Sequence, residues 1–208
     1  MAFVRAAEPL AAPQAVASRD EILAQLSSAD AAARRHAARA LAGDEGAVEA
    51  LAARLEDEKQ ASVRDALFAG LVETGGARVA RLIAPLLRSH DAGLRNDALE
   101  ALKQLEGDAV SVVDEMLGDT DPGLRLLAIE VTRAWASLVA VPRLRRIIED
   151  DCHVNVCGAA VDVATEVGTE DLLAPLAALR IRFADEPFLG FAVDVACARI
   201  HAARGRAP

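Results

Sequence analysis

Hydrophobic residues along the chain follow a helical spacing, and the pattern returns about every thirty residues. Apolar side chains three or four positions apart, as in Val48, Leu51 and Leu55, predict one face of a helix. Each such segment is followed by a second helical segment. The pattern predicts these second helices over residues 31–42, 61–73, 92–106, 122–136, 152–167 and 187–202. Runs of β-branched residues with a two-residue period are missing from the sequence, so we expect almost no strand.

A short motif precedes most of the second helices. An acidic or polar residue lies three positions before a hydrophobic anchor, and an Arg follows the anchor in the first four repeats. The anchors are Ala33, Val63, Leu94, Leu124 and Val154, at steps of 30 or 31 residues. A fixed period of this size indicates a stacked array in which each unit buries its faces against its neighbours.

The residues at the predicted turns favour helix boundaries. Ser18 and Glu21 have the spacing of a capping box, so the first helix should begin near Arg19. An Asp three residues before an anchor suits a helix N-cap, because its carboxylate accepts a free backbone N–H. Glycines follow several second helices. A helix often ends in a residue with left-handed backbone conformation, and Gly adopts that conformation at the lowest cost in free energy. These glycines are Gly43, Gly75, Gly76, Gly107 and Gly168.

The motif Asp-x-x-hydrophobic-Arg-x-x-Ala is complete at residues 91–98 and 121–128. It resembles the HEAT-repeat family, in the short-repeat form of phycobilin lyases and bacterial adaptors, over about residues 19–200. The resemblance implies an all-α, right-handed solenoid of about five helix pairs plus an irregular C-terminal capping unit, with second helices lining the concave side. We therefore expect a flexible Ala/Pro-rich arm at 1–17, a repeat domain at 18–203 and a tail at 204–208.

The resemblance also implies a structural role for the row of arginines, each pairing with an Asp of its own or an adjacent turn. The alternative is that the arginines form a ladder for a ligand. The residues concerned are Asp30, Arg34, Arg64, Asp91, Arg95, Asp121, Arg125 and Asp151.

Composition narrows the class of partner. The formal net charge is −9, which disfavours nucleic acid and anionic membranes, since both attract clustered Lys and Arg. No apolar run approaches the roughly 18 residues of a membrane span. The first 17 residues make a poor secretory signal. Three cysteines without framework spacing favour a reduced, cytoplasmic setting.

Candidate chemistry in the sequence is sparse. Cys152 and Cys157 are five residues apart and so do not share a helix face, and a zinc site needs about four ligands. We expect these thiols to pack as small apolar side chains and predict no metal and no cofactor. The four His residues occupy non-equivalent repeat positions, and no phosphate-binding Gly-rich loop is present. We therefore predict that the chain is not an enzyme and has no catalytic residues.

A candidate partner surface comes from the second helices of repeats three to five. Side chains two and six positions after the anchor share a helix face, and stacking would align them in one strip. The strip becomes apolar toward the C-terminal half, as a binding patch with a polar rim would. Alternatively, the last unit, with Phe183, Phe188 and Phe191, folds over it. The predicted strip residues are Asn96, Glu100, Leu126, Glu130, Val156 and Ala160. If Leu126 is exposed, Leu126→Asp should weaken binding and leave the fold intact.

The sequence is compatible with two functions. The first is a cytoplasmic, non-catalytic adaptor or scaffold that binds another protein and is monomeric on its own. This inference rests on analogy with the fold. The second is an accessory subunit of a chromophore-attachment system like the phycobilin lyases, or of a cofactor-maturation system. Absorbance of the purified protein mixed with a bilin would distinguish them.

Overall fold

The computed structural model describes residues 17–204. The predicted arm at 1–17 and tail at 204–208 therefore lie outside the described residues, apart from Ala17 and the backbone of Arg204. Within the described range the chain forms helices and no strand. The twelve α-helices are Arg19–Gln25 (α1), Ala31–Ala40 (α2), Val48–Asp57 (α3), Ala61–Thr74 (α4), Gly76–Ile83 (α5), Ala92–Gln104 (α6), Glu106–Met116 (α7), Pro122–Thr132 (α8), Ser137–Asp150 (α9), Val154–Val167 (α10), Leu173–Arg182 (α11) and Pro187–Arg204 (α12).

The helices form six pairs stacked in two layers. Each even-numbered helix packs on the preceding odd-numbered helix and on the even-numbered helices of adjacent pairs. Short 3-10 helices at Glu45–Ala47, Ala84–Arg88 and Glu170–Leu172 lead into or extend odd-numbered helices. One apolar core runs from Leu26 to Ile200 between the layers. The predicted α-solenoid is thus confirmed, and the C-terminal unit is a sixth helix pair. None of the helices in the described range is both long and apolar enough to cross a membrane.

Side-chain caps define most helix starts as predicted. Ser18 N donates to Glu21 Oε2 at 2.7 Å, and Glu21 N donates to Ser18 Oγ at 3.3 Å, which completes the capping box of α1. Asp30, Asp91 and Asp121 cap α2, α6 and α8. The prediction for Asp151 was wrong, because α10 begins at Val154 with His153 as its N-cap.

Two of the five glycine predictions were also wrong. Gly43, Gly75 and Gly76 have positive φ, as a left-handed turn requires. Gly107 instead lies inside α7, and Gly168 has a φ of −66°. At Gly168 the constraint is space, because an added Cβ would lie 2.3 Å from the carbonyl oxygen of Ala164.

Candidate protein-binding surface

The predicted strip does not extend into repeat five. Val156 and Ala160 are fully buried, because they follow the His153 N-cap by three and seven residues, as the buried Leu94 and Ala98 follow Asp91. The last unit also packs against this repeat, through α12 on α10. Phe188 and Phe191 take no part in this packing because both are exposed, whereas Phe183 is half-buried against the core. The buried side chains of α12 are Leu189, Val193, Ala196 and Ile200.

The remaining strip residues lie on α6 and α8. Asn96 and Glu100 are exposed, whereas Leu126 and Glu130 are half-buried. Leu126 packs against the apolar core, so it is not the free apolar centre that the sequence suggested. The surface of α6 and α8 is therefore mainly polar, because most of the Leu126 side chain contacts the core.

An ion-pair network connects the second helices across this surface. Lys103 Nζ lies 2.9 Å from Glu100 Oε1 and 3.2 Å from Glu130 Oε1, which joins α6 to α8. Burial alone would lower the pKa of Lys103, but hydrogen bonds to Glu100 and Glu130 outweigh it and hold the pKa above its usual value. Arg133 extends the network from Glu130 to Asp162 of α10, at 3.0 and 2.7 Å. The fold therefore brings Glu100 and Glu130 together, but both carboxylates already form ion pairs with cationic side chains of the same chain.

A cleft of about 240 Å³ lies between α4 and α6, next to Glu100. Apolar and acidic groups both line it. The lining residues are Asp65, Phe68, Ala69, Val72, Asp97, Glu100, Ala101 and Gln104. Phe68 and Ala101 are buried, Val72 is half-buried, and Asp65 and Ala69 are exposed. The cleft thus combines an apolar base with carboxylates at its edge.

The electrostatics of the cleft favour a cation. Burial raises the pKa of Asp97; the nearby Arg64 lowers it, and the charges of Asp65 and Asp91 raise it further. Arg64 Nε lies 3.4 Å from Asp97 Oδ2, but Arg64 also pairs with Asp91 at 3.0 Å. One guanidinium therefore serves two carboxylates, and Asp65 adds a third negative charge. Sequence reasoning missed this cleft, because its strip began at the third repeat. Asp65 and Asp97, two and three residues after their anchors, were the available indication.

The motif arginines make contacts within the fold. Arg64 pairs with Asp91 as described, and Arg125 Nε lies 2.7 Å from Asp151 Oδ2, so each reaches the turn of the next repeat. Arg95 donates from Nη1 to the carbonyl of Ser89, at 2.7 Å, in its own turn. The expected Asp partner is therefore present for Arg64 and Arg125, but the expectation was wrong for Arg95, which makes no ion pair among the described residues.

Repeat two lacks the motif Asp and uses another acid. Arg34 pairs with Glu58 at 2.7 Å rather than with an Asp of its own turn. Glu58 Oε1 also accepts the backbone N–H groups of Lys59 and Gln60, at 3.0 and 2.9 Å. Sequence reasoning missed Glu58, although Gln60 at the motif position showed that an acid was lacking there.

Within residues 17–204, no group of three or more His, Cys, Asp or Glu side chains is placed to hold an ion. Cys157 is buried, and burial raises the pKa of its thiol. Cys197 is half-buried, with its pKa raised by the same cause, while Cys152 is exposed.

Comparison with known proteins identifies the repeats. The family model of HEAT repeats matches residues 19–103. No curated protein matches the sequence. Similar solved structures include a HEAT-like repeat protein from the archaeon Thermococcus onnurineus, with 15% identity, 88% of each chain covered and a TM-score of 0.47. An engineered protein has 17% identity over 90% of this chain and 100% of its own, with a TM-score of 0.43.

The complex of CpcE and CpcF of phycocyanin lyase, from a Nostoc species, is also similar. It has 15% identity over 96% of this chain and 100% of its own, with a TM-score of 0.39. HEAT repeats are thus recognised over residues 19–103, and stacked helix pairs continue from there to α12.

Proposed function

We propose that this chain is a non-catalytic scaffold that binds another protein through the cleft between α4 and α6. The observation that carries the proposal is the pairing of an apolar base, formed by Phe68 and Val72, with the carboxylates of Asp65 and Asp97 at the edge. Protein interfaces combine an apolar centre with a polar rim. The cleft therefore suits a partner segment that presents a Lys or Arg beside an apolar side chain.

Charge supports this choice of partner. Asp65 makes no ion pair within the described part of the chain, and its charge opposes ionisation of Asp97. A cationic side chain placed between them would remove this repulsion. The net charge of −9 would also attract a basic partner over a longer range. Association should therefore weaken as ionic strength rises.

The free thiols bear on the compartment in which the scaffold would work. All three cysteines are free in the structure. Free thiols of this kind support a reducing compartment, and we place the scaffold in the cytoplasm.

A photo-crosslinking experiment tests the site. A photoreactive amino acid at Ala69, which is exposed in the cleft, should capture one partner from the native host. The same group at Ala53, which is exposed on α3 in the other helix layer, should not capture it. The captured protein is then purified for binding measurements.

Two matched substitutions complete the test. Ala69→Arg fills the cleft and adds a positive charge, so it should weaken binding of the purified partner at least ten-fold. Ala53→Arg adds the same side chain outside the cleft and should bind like the wild type. Equal crosslinking at both positions, or unchanged affinity of Ala69→Arg, would reject the α4–α6 cleft as the binding site.

A further inference from the structure

The last helix pair carries an unusual concentration of exposed apolar side chains. Five large hydrophobic residues are exposed among the described residues, and four of them belong to α11 or α12. The exposed fractions are 80% for Ile181, 89% for Phe188, 69% for Phe191 and 37% for Val195. The end unit of a stacked array normally presents a polar outer face, which keeps the array soluble. This end is therefore built differently from a simple cap.

The helix α12 has two apolar faces. Its buried face consists of Leu189, Val193, Ala196 and Ile200 and packs into the solenoid. Its exposed side carries a second row with alternating steps of three and four residues, which we call the outer stripe. The outer stripe consists of Phe188, Phe191, Val195, Ala198 and Ala202, all of which are exposed. Steps of three and four residues are the spacing with which one helix packs along another.

The distribution of side-chain size along the outer stripe is complementary to itself. The two large residues, Phe188 and Phe191, lie at the N-terminal end, and the small Ala198 and Ala202 lie at the C-terminal end. An antiparallel pair of these helices centred on Val195 would place each Phe188 opposite the second copy's Ala202. Phe191 would likewise face the second copy's Ala198. Large side chains would thus fill the space above small ones, as close packing requires.

Charge at the margin of the outer stripe does not oppose this pairing. Asp194 lies beside the stripe and forms an ion pair with Arg180 of α11 in the same chain. Two copies of Asp194 would meet near the centre of an antiparallel pair, but each would bring its own guanidinium. Asp194 therefore adds little net charge to the contact.

We propose that α12 is a homodimerisation helix that packs antiparallel against α12 of a second copy of this chain. The contact buries two phenylalanines per copy but comprises one helix face, so it is smaller than the standard interface of about 800 Å² per partner. The dimer is therefore weak, with a dissociation constant in the micromolar range. This replaces the expectation of a monomer, and it does not depend on the proposed function of the α4–α6 cleft.

Sedimentation velocity of the full chain tests the association. The weight-average mass should rise toward twice the monomer mass as concentration increases from about 1 to 300 μM. Phe191→Asp should raise the dissociation constant at least about thirty-fold, as loss of a central aromatic anchor does. Leu138→Asp changes a residue that is 89% exposed on α9, outside the outer stripe, and should dimerise like the wild type. Circular dichroism checks that each variant stays folded.

Cysteine crosslinking tests the orientation, in a background with Cys152→Ser and Cys197→Ala. Val195→Cys should form a disulfide-linked dimer, because the two Val195 positions meet at the centre. Ala202→Cys should not, because the two Ala202 positions would be about 21 Å apart, and a disulfide needs Cα atoms within about 7 Å. A chain that stays monomeric at the highest concentration would overturn the proposal. So would crosslinking at both positions, which indicates a parallel pair, or equal dimerisation of Phe191→Asp and the wild type.

Discussion

Arg34 and Glu58 form a buried, bidentate ion pair between the first and second repeats. Arg34 Nε donates to Glu58 Oε2 at 2.7 Å, and Arg34 Nη2 donates to Glu58 Oε1 at 2.9 Å. The side chains are only 9% and 1% exposed. Arg54 Nη2 adds a further bond to Glu58 Oε2 at 3.0 Å. The Glu58 carboxylate thus connects α2, α3 and the start of α4.

Replacing Glu58 should be costly. Glu58→Gln removes the negative charge and leaves the Arg34 guanidinium buried without its counter-ion. Breaking a buried pair in this way costs about 3 kcal/mol or more, so the midpoint of urea unfolding should fall clearly. Glu56→Gln, at an exposed position of α3, should change stability by less than about 0.5 kcal/mol. Equal midpoints for the two variants would show that the pair contributes little.

The same carboxylate should make stability depend on pH. Hydrogen bonds from Arg34 lower the pKa of Glu58 from 4.5 to about 2, although burial opposes the shift. The contribution of Glu58 to the free energy of unfolding is complete above about pH 5, where the carboxylate is ionised in both the folded and the unfolded state. This contribution declines with falling pH as Glu58 becomes protonated in the unfolded state. It disappears below about pH 2, where Glu58 is also protonated in the folded state. The full difference corresponds to about 3 kcal/mol.

A pH series of unfolding curves measures this contribution. The difference in free energy of unfolding between the wild type and Glu58→Gln should be constant above pH 5 and shrink between pH 4.5 and 2. A difference that stays constant through this window would mean that the Glu58 pKa is not lowered in the folded state.

The repeat period predicted helix positions well because each helix buries the same face against equivalent neighbours. The helix predicted at 61–73 is Ala61–Thr74 in the structure. The period did not reveal that Val156 is buried, because α10 begins two residues later in the motif than α6 and α8, with His153 rather than Asp151 as its N-cap. A shift of two residues changes which side chains face the core, and the motif spacing alone does not show it.

The cleft and the Glu58 pair were missed for a related reason. Both depend on side chains outside the motif positions that the period made visible. Glu58 lies two residues before Gln60, and the cleft combines Phe68 of one repeat with Asp97 of the next. Such juxtapositions arise from the stacking of helices α4 and α6 and require three-dimensional positions.

Two glycines that looked equivalent in sequence should respond oppositely to alanine. Gly75 has φ 68° and ψ −164°, a conformation that side chains with a Cβ rarely adopt. Gly75→Ala should therefore cost about 1–3 kcal/mol. Gly107 lies in α7, where an added Cβ meets nothing within 4 Å. Gly107→Ala should raise stability by about 0.5–1 kcal/mol. Thermal unfolding followed by circular dichroism measures both, and shifts of the same sign would contradict this assignment.

Leu126 and Leu138 differ in burial, since one side chain packs against the core and the other is exposed to solvent. Leu126 is half-buried and packs against the core, whereas Leu138 is 89% exposed in the first turn of α9. Leu126→Asp places a carboxylate against apolar neighbours, so it should lower the free energy of unfolding by about 1–3 kcal/mol.

Leu138→Asp should change that free energy by less than about 0.5 kcal/mol, because its carboxylate stays hydrated and lies near a helix N-terminus, where negative charge is favourable. Urea unfolding of both variants measures the difference. If Leu126→Asp is as stable as Leu138→Asp, Leu126 is available at the surface. The apolar centre of a binding strip on α8 would then have to be reconsidered beside the α4–α6 cleft.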